Sequence, residues 1–151
     1  MAKTKKQKAL DEELIQECEG YHRSHNKPDG AYLLERGRFY NTNKIKRLIE
    51  KGADVRVKDR NGNTPLHVAI WMGDETFAKL LIDSDAKVNA KGEYGSTSLH
   101  FAVCWDNIAI AKLLIDSGAW VNAKNKFGQT PLHFFKSQKM KVLLIQHGAT
   151  L

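Results

Sequence analysis

The chain has 151 residues, 42% of them apolar, and carries 24 lysines and arginines against 17 acidic residues, a net charge of +7. That is the length of a single domain, and no apolar run nears the roughly 18 residues of a membrane span, so a membrane-spanning role is not expected. Cys18 and Cys104 fall in different elements without metal-ligand spacing, and no secretory core follows Met1, which together read as free thiols in a reducing, cytoplasmic setting.

The charge is uneven. Residues 1–58 hold 14 basic and 9 acidic side chains, a balance of +5, against 10 and 8, or +2, in residues 59–151. Lys3, Lys5, Lys6 and Lys8 precede any apolar periodicity and are expected to form a solvated basic tail. Leu10, Leu14 and Cys18 follow at four-residue spacing in a Glu-rich run, so residues 1–25 are predicted to be that tail plus an N-terminal capping helix.

Residues 26–58 read as a degenerate copy of the segments that follow, with Leu33 in a core position, a Leu48-Ile49 pair and a Gly52-Ala53-Asp54-Val55 exit. The next unit, 59–91, is explicit. Asn61-Gly62 signals a turn, Thr64 an N-cap and Pro65 the first helical position, where a missing N–H costs nothing. Leu66, Ala69 and Ile70 give a short helix one buried face; Gly73-Asp74 break it, and Phe77, Leu80 and Leu81 set a second helix. Residues 86–89 then lead out to the next turn at Gly92.

Units 92–124 and 125–151 repeat this plan. NGNTPLHVAI, YGSTSLHFAV and FGQTPLHFFK place Thr64, Thr97 and Thr130 at equal steps of 33 residues, the mark of a stacked repeat architecture. The last copy is short: Thr130 to Ala149 spans 19 residues where the two preceding copies span 22. The deletion falls near residues 136–140, so this unit reads as a trimmed C-terminal cap. Isolated helices shorter than about 12–15 residues are marginal in water, so stacking must stabilise these.

TPLHVA, TSLHFA and TPLHFF, each followed by a Leu-Leu pair and a Gly-Ala or Asp-Ala step, resemble the ankyrin repeat. The resemblance covers about residues 26–151 and implies an all-α solenoid of helix-turn-helix units joined by β-hairpin-like loops. It also implies a binding role, as adaptor or inhibitor, in place of catalysis. No catalytic or cofactor motif stands out, and no cofactor is expected. His67, His100 and His133 form a ladder, but helices in adjacent layers lie about 8–10 Å apart, too far to share a metal whose ligands sit about 2 Å away. The resemblance makes them structural. His22 and His25 lack ligands to complete a site and read as solvated.

In ankyrin proteins partners commonly meet the hairpin tips and the concave end of the first helix. Carried onto this chain, the helix positions are Arg38, Phe39, Trp71, Met72, Cys104, Trp105, Ser137 and Gln138. The tips are Arg60, Asn61, Asn63, Glu93, Tyr94, Ser96, Lys126, Phe127 and Gln129. Trp71 and Trp105, nearly in register, are expected at the interface, since aromatic residues and Arg dominate binding hot spots, with packing between repeats as the alternative. Lys58, Lys91 and Lys124 are expected either to add a positive stripe, which suits a protein partner with acidic and apolar groups, or to form a solvated charged face that needs no partner. The competing reading is binding of nucleic acid or an anionic surface through the basic N-terminal region, including Arg36, Arg38, Lys44, Lys46 and Arg47. It is weakened because the charge excess fades after residue 58 and no groove-reading motif accompanies it. KTKKQK is a weak nuclear-import pattern, and the resemblance also raises Asn89 and Asn122 as sites of asparagine hydroxylation.

Overall fold

A computed structural model of the chain describes residues 2–25 and 42–151, with side chains described for 2–18 and 43–151. Among these residues the helices are α1 (Lys5–His25), α2 (Thr42–Glu50), α3 (Pro65–Trp71), α4 (Glu75–Asp83), α5 (Ser98–Cys104), α6 (Ile108–Asp116) and α7 (Gln138–Gln146). Two 3-10 turns, Glu93–Gly95 and Pro131–Phe134, complete the regular elements. The helices pair within a unit, α3 on α4 and α5 on α6, and stack between units, α3 on α5 and α4 on α6.

The repeat logic is a physical one. Thr64, Thr97 and Thr130 are extended N-caps, and each closes a capping box with the histidine three residues on. Asp74 caps α4 by accepting from the Phe77 amide at 2.8 Å, and Asn107 caps α6 through the Ile110 amide at 3.1 Å. The stripes these caps align are fully buried: Leu66, Ala69, Phe77, Ala78 and Leu81 in one unit, Leu99, Ala102, Ile110, Ala111 and Leu114 in the next. Leu132, Met140 and Leu144 continue the core in the last unit.

Polar ladders fix the spacing between units. Asn89 donates to Gly118 O at 2.9 Å and accepts from Trp120 N at 2.8 Å; Asn122 does the same with Gly148 O and Thr150 N. Each hairpin repeats the same closing backbone bond, Asp59 N to Asn63 O, Gly92 N to Ser96 O and Asn125 N to Gln129 O. An antiparallel bridge between Lys91 and Thr97 gives the middle one strand character.

The N-terminal lysines do not form a free tail. Thr4 Oγ1 accepts from the Gln7 amide and Lys5, Lys6 and Lys8 lie within α1, exposed but helical. Lys3 bridges Asp11 at 2.7 Å and Asp54 at 2.9 Å, and Gln7 donates to Gly52 O. The apolar periodicity begins at Leu10, yet these polar contacts to the exit of the first unit extend the helix a turn and more upstream of it. Burial pushes the Asp54 carboxyl up, but hydrogen bonds from Arg56 and Lys3 outweigh it and hold it down at about 2. Leu14 and Cys18 form the buried face of α1.

The last unit shows where its three residues are missing. From cap to cap, Thr64 to Asp74 and Thr97 to Asn107, the first helix and its turn take ten steps; Thr130 to Ser137 takes seven. A seven-residue helix becomes the four-residue 3-10 turn Pro131–Phe134. Ser137 then caps α7 through the Met140 amide and donates its hydroxyl to Asp106 Oδ1 at 2.6 Å, tying the shortened unit to its neighbour.

Candidate functional site

The histidine ladder is structural in its geometry. Each Thr amide donates to the Nδ1 of its own histidine, at 3.1 Å for His67 and His100 and 3.0 Å for His133. A backbone N–H can only donate, so Nδ1 accepts and the proton sits on Nε2. His100 uses that proton to bond Gln129 O of the next hairpin at 3.1 Å. His67 Nε2, buried, closes no such bond. Burial lowers the basicity of both, taking His67 down to about 4. They remain neutral at physiological pH. Among the described residues no group of His, Cys, Asp and Glu is arranged to hold a metal.

The expected partner positions divide into three sets. Arg38 and Phe39 lie outside the described residues. Asn63 and Ser96 are buried, and Asn63 spends its amide internally, donating to Asp59 and accepting from Glu93 N at 2.8 Å. Buried in this way, neither is free to be a direct contact, and both are corrected to supports. The bonds to Asp59 and to the Glu93 amide hold the Asn63 side chain inward.

The remaining positions reach the surface to different degrees. Tyr94 is 58% exposed and Phe127 69%, and their rings lie tilted against each other with centroids 6.0 Å apart on adjacent hairpin tips. Tyr94 holds φ 53°, ψ 21°, a left-handed conformation rare for a bulky side chain, and its carbonyl accepts from Lys126 N at 2.9 Å. Arg60, Asn61 and Lys126 are exposed at the tips, and Glu93 and Gln129 half-buried.

Trp71 and Trp105 part company. Trp71 is half-buried with its ring edge-on to Phe101 at 5.2 Å, whereas Trp105 is 43% exposed with Lys136 Nζ over its face at 5.9 Å. The reason is the register: Trp71 ends α3 one residue before the position that Trp105 holds after α5, so only Trp71 lies under the next unit's Phe101. Met72 and Cys104 are half-buried and Gln138 exposed.

The lysine ladder is also reassigned. Lys58 Nζ donates to Lys91 O and Lys91 Nζ to Lys124 O, each at 2.9 Å, so the ammonium groups stitch one hairpin to the next. Part of the N-terminal basic region is engaged among the described residues: Lys3 pairs with Asp11 and Asp54, Lys44 with Glu13 and Glu17, and Arg56 with Asp54, while Arg36 and Arg38 lie outside them.

Three features escaped sequence reasoning. Phe135, 37% exposed, stands at the end of the trimmed turn beneath Lys141, with 5.3 Å from ammonium to ring centre. Trp120, 64% exposed, occupies the exit of α6 at the register position of Lys87. The charge is unevenly shared among units: 59–91 and 92–124 each sum to −1, while 125–151 carries Lys126, Lys136, Lys139 and Lys141 and no acidic side chain. Counting by repeat would have shown this; counting by halves averaged it away.

No described helix is long and apolar enough to cross a membrane. A search among curated proteins returns no match. The family model for ankyrin repeats matches in three copies over residues 33–125, more than half the chain, and the unit beyond residue 125 repeats the same Thr–His capping box and hairpin bond. With matching caps, stacking and inter-unit ladders in place, the chain belongs to the ankyrin repeat family.

Proposed function

We propose that this chain is a non-enzymatic adaptor or inhibitor that binds another protein through its hairpin tips and the adjoining concave ends of its first helices. The family generally serves as a protein–protein interaction module. The observation that carries the assignment here is the Tyr94–Phe127 pair, two large rings held against each other in solvent on successive tips. Exposed apolar area of this kind is what interface cores bury. Trp105, Arg60 and Lys126 extend the surface; Asn61, Met72, Glu93, Cys104 and Gln129 frame it, and Trp71 supports it from beneath. Apolar groups flanked by carboxylates are the partner surface that fits.

The test is affinity capture followed by mass spectrometry, comparing the wild-type chain with a Tyr94→Ala, Phe127→Ala, Trp105→Ala variant. All three residues are exposed, so the variant should melt near the wild type. A protein retained by the wild type and lost by the variant supports the reading. Identical captures would refute the assigned surface. Association with nucleic acid only would move the function to another class.

A further inference from the structure

We infer that the shortened last unit is a docking site for an acidic polypeptide segment, in which carboxylates alternate with aromatic or aliphatic side chains. This rests on the protein-binding reading and gives it a location and a partner chemistry.

The trimmed turn is the starting point. Three residues are missing between Thr130 and Ser137, so Pro131–Phe134 makes one 3-10 turn where α5 makes a seven-residue helix. At this end of the stack Trp105 and Phe135 stand 43% and 37% exposed, whereas Trp71, one unit earlier, is half-buried against Phe101. Each exposed ring has a lysine over it, Lys136 at 5.9 Å from Trp105 and Lys141 at 5.3 Å from Phe135.

The charge has no internal answer. Units 59–91 and 92–124 mix signs, but 125–151 contains no acidic side chain. Among the described residues the ion pairs involve Lys3, Lys44, Arg56 and Lys79; Lys136, Lys139 and Lys141 form none. The Asp106 carboxylate reaches toward this region from the preceding unit but accepts from Ser137 Oγ at 2.6 Å. A ring with an ammonium beside it offers apolar contact and a counter-charge within one side chain's reach. That matches a peptide in which Asp or Glu neighbours Phe, Trp, Leu or Ile, and desolvation on docking would strengthen each charged contact.

Nucleic acid fits less well. Single strands are held by stacking bases on free aromatic faces, and bidentate phosphate contacts favour Arg. Here the ammoniums of Lys136 and Lys141 lie over the rings, and every basic residue of the unit is Lys.

The experiment pans a displayed library of random 12-residue peptides against the full chain, then measures individual peptides by fluorescence anisotropy at two salt concentrations. Expected are sequences enriched in Asp or Glu beside aromatic or aliphatic residues. They should bind at least tenfold more weakly to a Lys136→Gln, Lys139→Gln, Lys141→Gln variant and to Trp105→Ala, with Lys112→Gln, exposed on α6, as an unaffected control. Thermal unfolding of each variant guards against misfolding, and K136Q/K139Q serves alone should Lys141, which is half-buried, prove structural. Peptides without acidic bias, or ones sensitive to Tyr94→Ala but not to the lysine changes, would overturn this site and leave the protein-binding reading standing. Equal affinity for a 12-nucleotide oligothymidylate would overturn the peptide assignment by showing a general polyanion surface. A panel with no enrichment would also overturn it, and the broader reading would then rest on the capture experiment.

Discussion

Gly92 stands where the register puts Asp59 in the preceding unit and Asn125 in the following one, so a simple repeat consensus would place a larger polar residue there. The structure predicts the opposite outcome. A Cβ at Gly92 would fall well inside van der Waals contact with Asn63 Oδ1 and only 3.0 Å from His67 Nε2. Neither neighbour can swing away: Asn63 is 2% exposed and His67 fully buried. Moving Asn63 breaks its bond from Glu93 N, a loss of about 1 kcal/mol, and crowding a packed site adds roughly 1–3, so Gly92→Ala should cost roughly 2–4 kcal/mol. The backbone at Gly92, φ −101°, is not left-handed, so the cost is steric. Urea unfolding followed by circular dichroism measures it. Asn63→Ser, which installs the smaller residue found one unit later at Ser96, should relieve the clash, giving a favourable coupling of about 1 kcal/mol or more in a double-mutant cycle. Gly92→Ala within 0.5 kcal/mol of the wild type, or strict additivity with Asn63→Ser, would refute the reasoning.

Stability should fall on acidification. His67 titrates near 4 when folded, below its ordinary value of 6.5, so the unfolded chain takes up the proton first; stability is full above about 6.5 and is lost as pH falls toward 4, by up to about 3 kcal/mol. His67→Gln should flatten that slope in denaturant titrations across pH 4–7. The two tryptophans should separate in the same assay: Trp71→Ala, which removes a ring packed on Phe101, should cost about 2 kcal/mol, and the exposed Trp105→Ala under about 0.5. Asn122→Ala removes the three side-chain bonds that tie Gly148 and Thr150 to Asn122 of the preceding unit; hydrogen exchange at amides of residues 141–150 should speed up several-fold while those of α3 and α4 hold, because repeat stability is summed from neighbouring interfaces.

Much of the fold was legible because it is local chemistry repeated. Thr64, Pro65 and His67 write a helix start into one phrase, and three copies at a fixed step imply the stack. Contacts between units were not legible. Whether Lys91 points to solvent or to Lys124 O depends on the pitch of the stack, and burial of Asn63 and Ser96 depends on how closely hairpins pack. Trp71 and Trp105 differ in sequence register by one residue, enough on a helix to turn one ring under Phe101 and leave the other in solvent. The N-terminal lysines were misassigned because helix α1 continues upstream of its apolar stripe through polar contacts made by Lys3 and Gln7.

The most direct test of the central claim is site-specific photo-crosslinking of the chain in complex with its captured protein partner. A benzophenone side chain is placed in turn at Tyr94, Trp105 and Phe127 on the proposed surface, and at Lys79 and Lys112, exposed on α4 and α6. Adducts to one protein from the first three positions and none from the last two are predicted. Adducts from Lys79 or Lys112 alone would contradict the account.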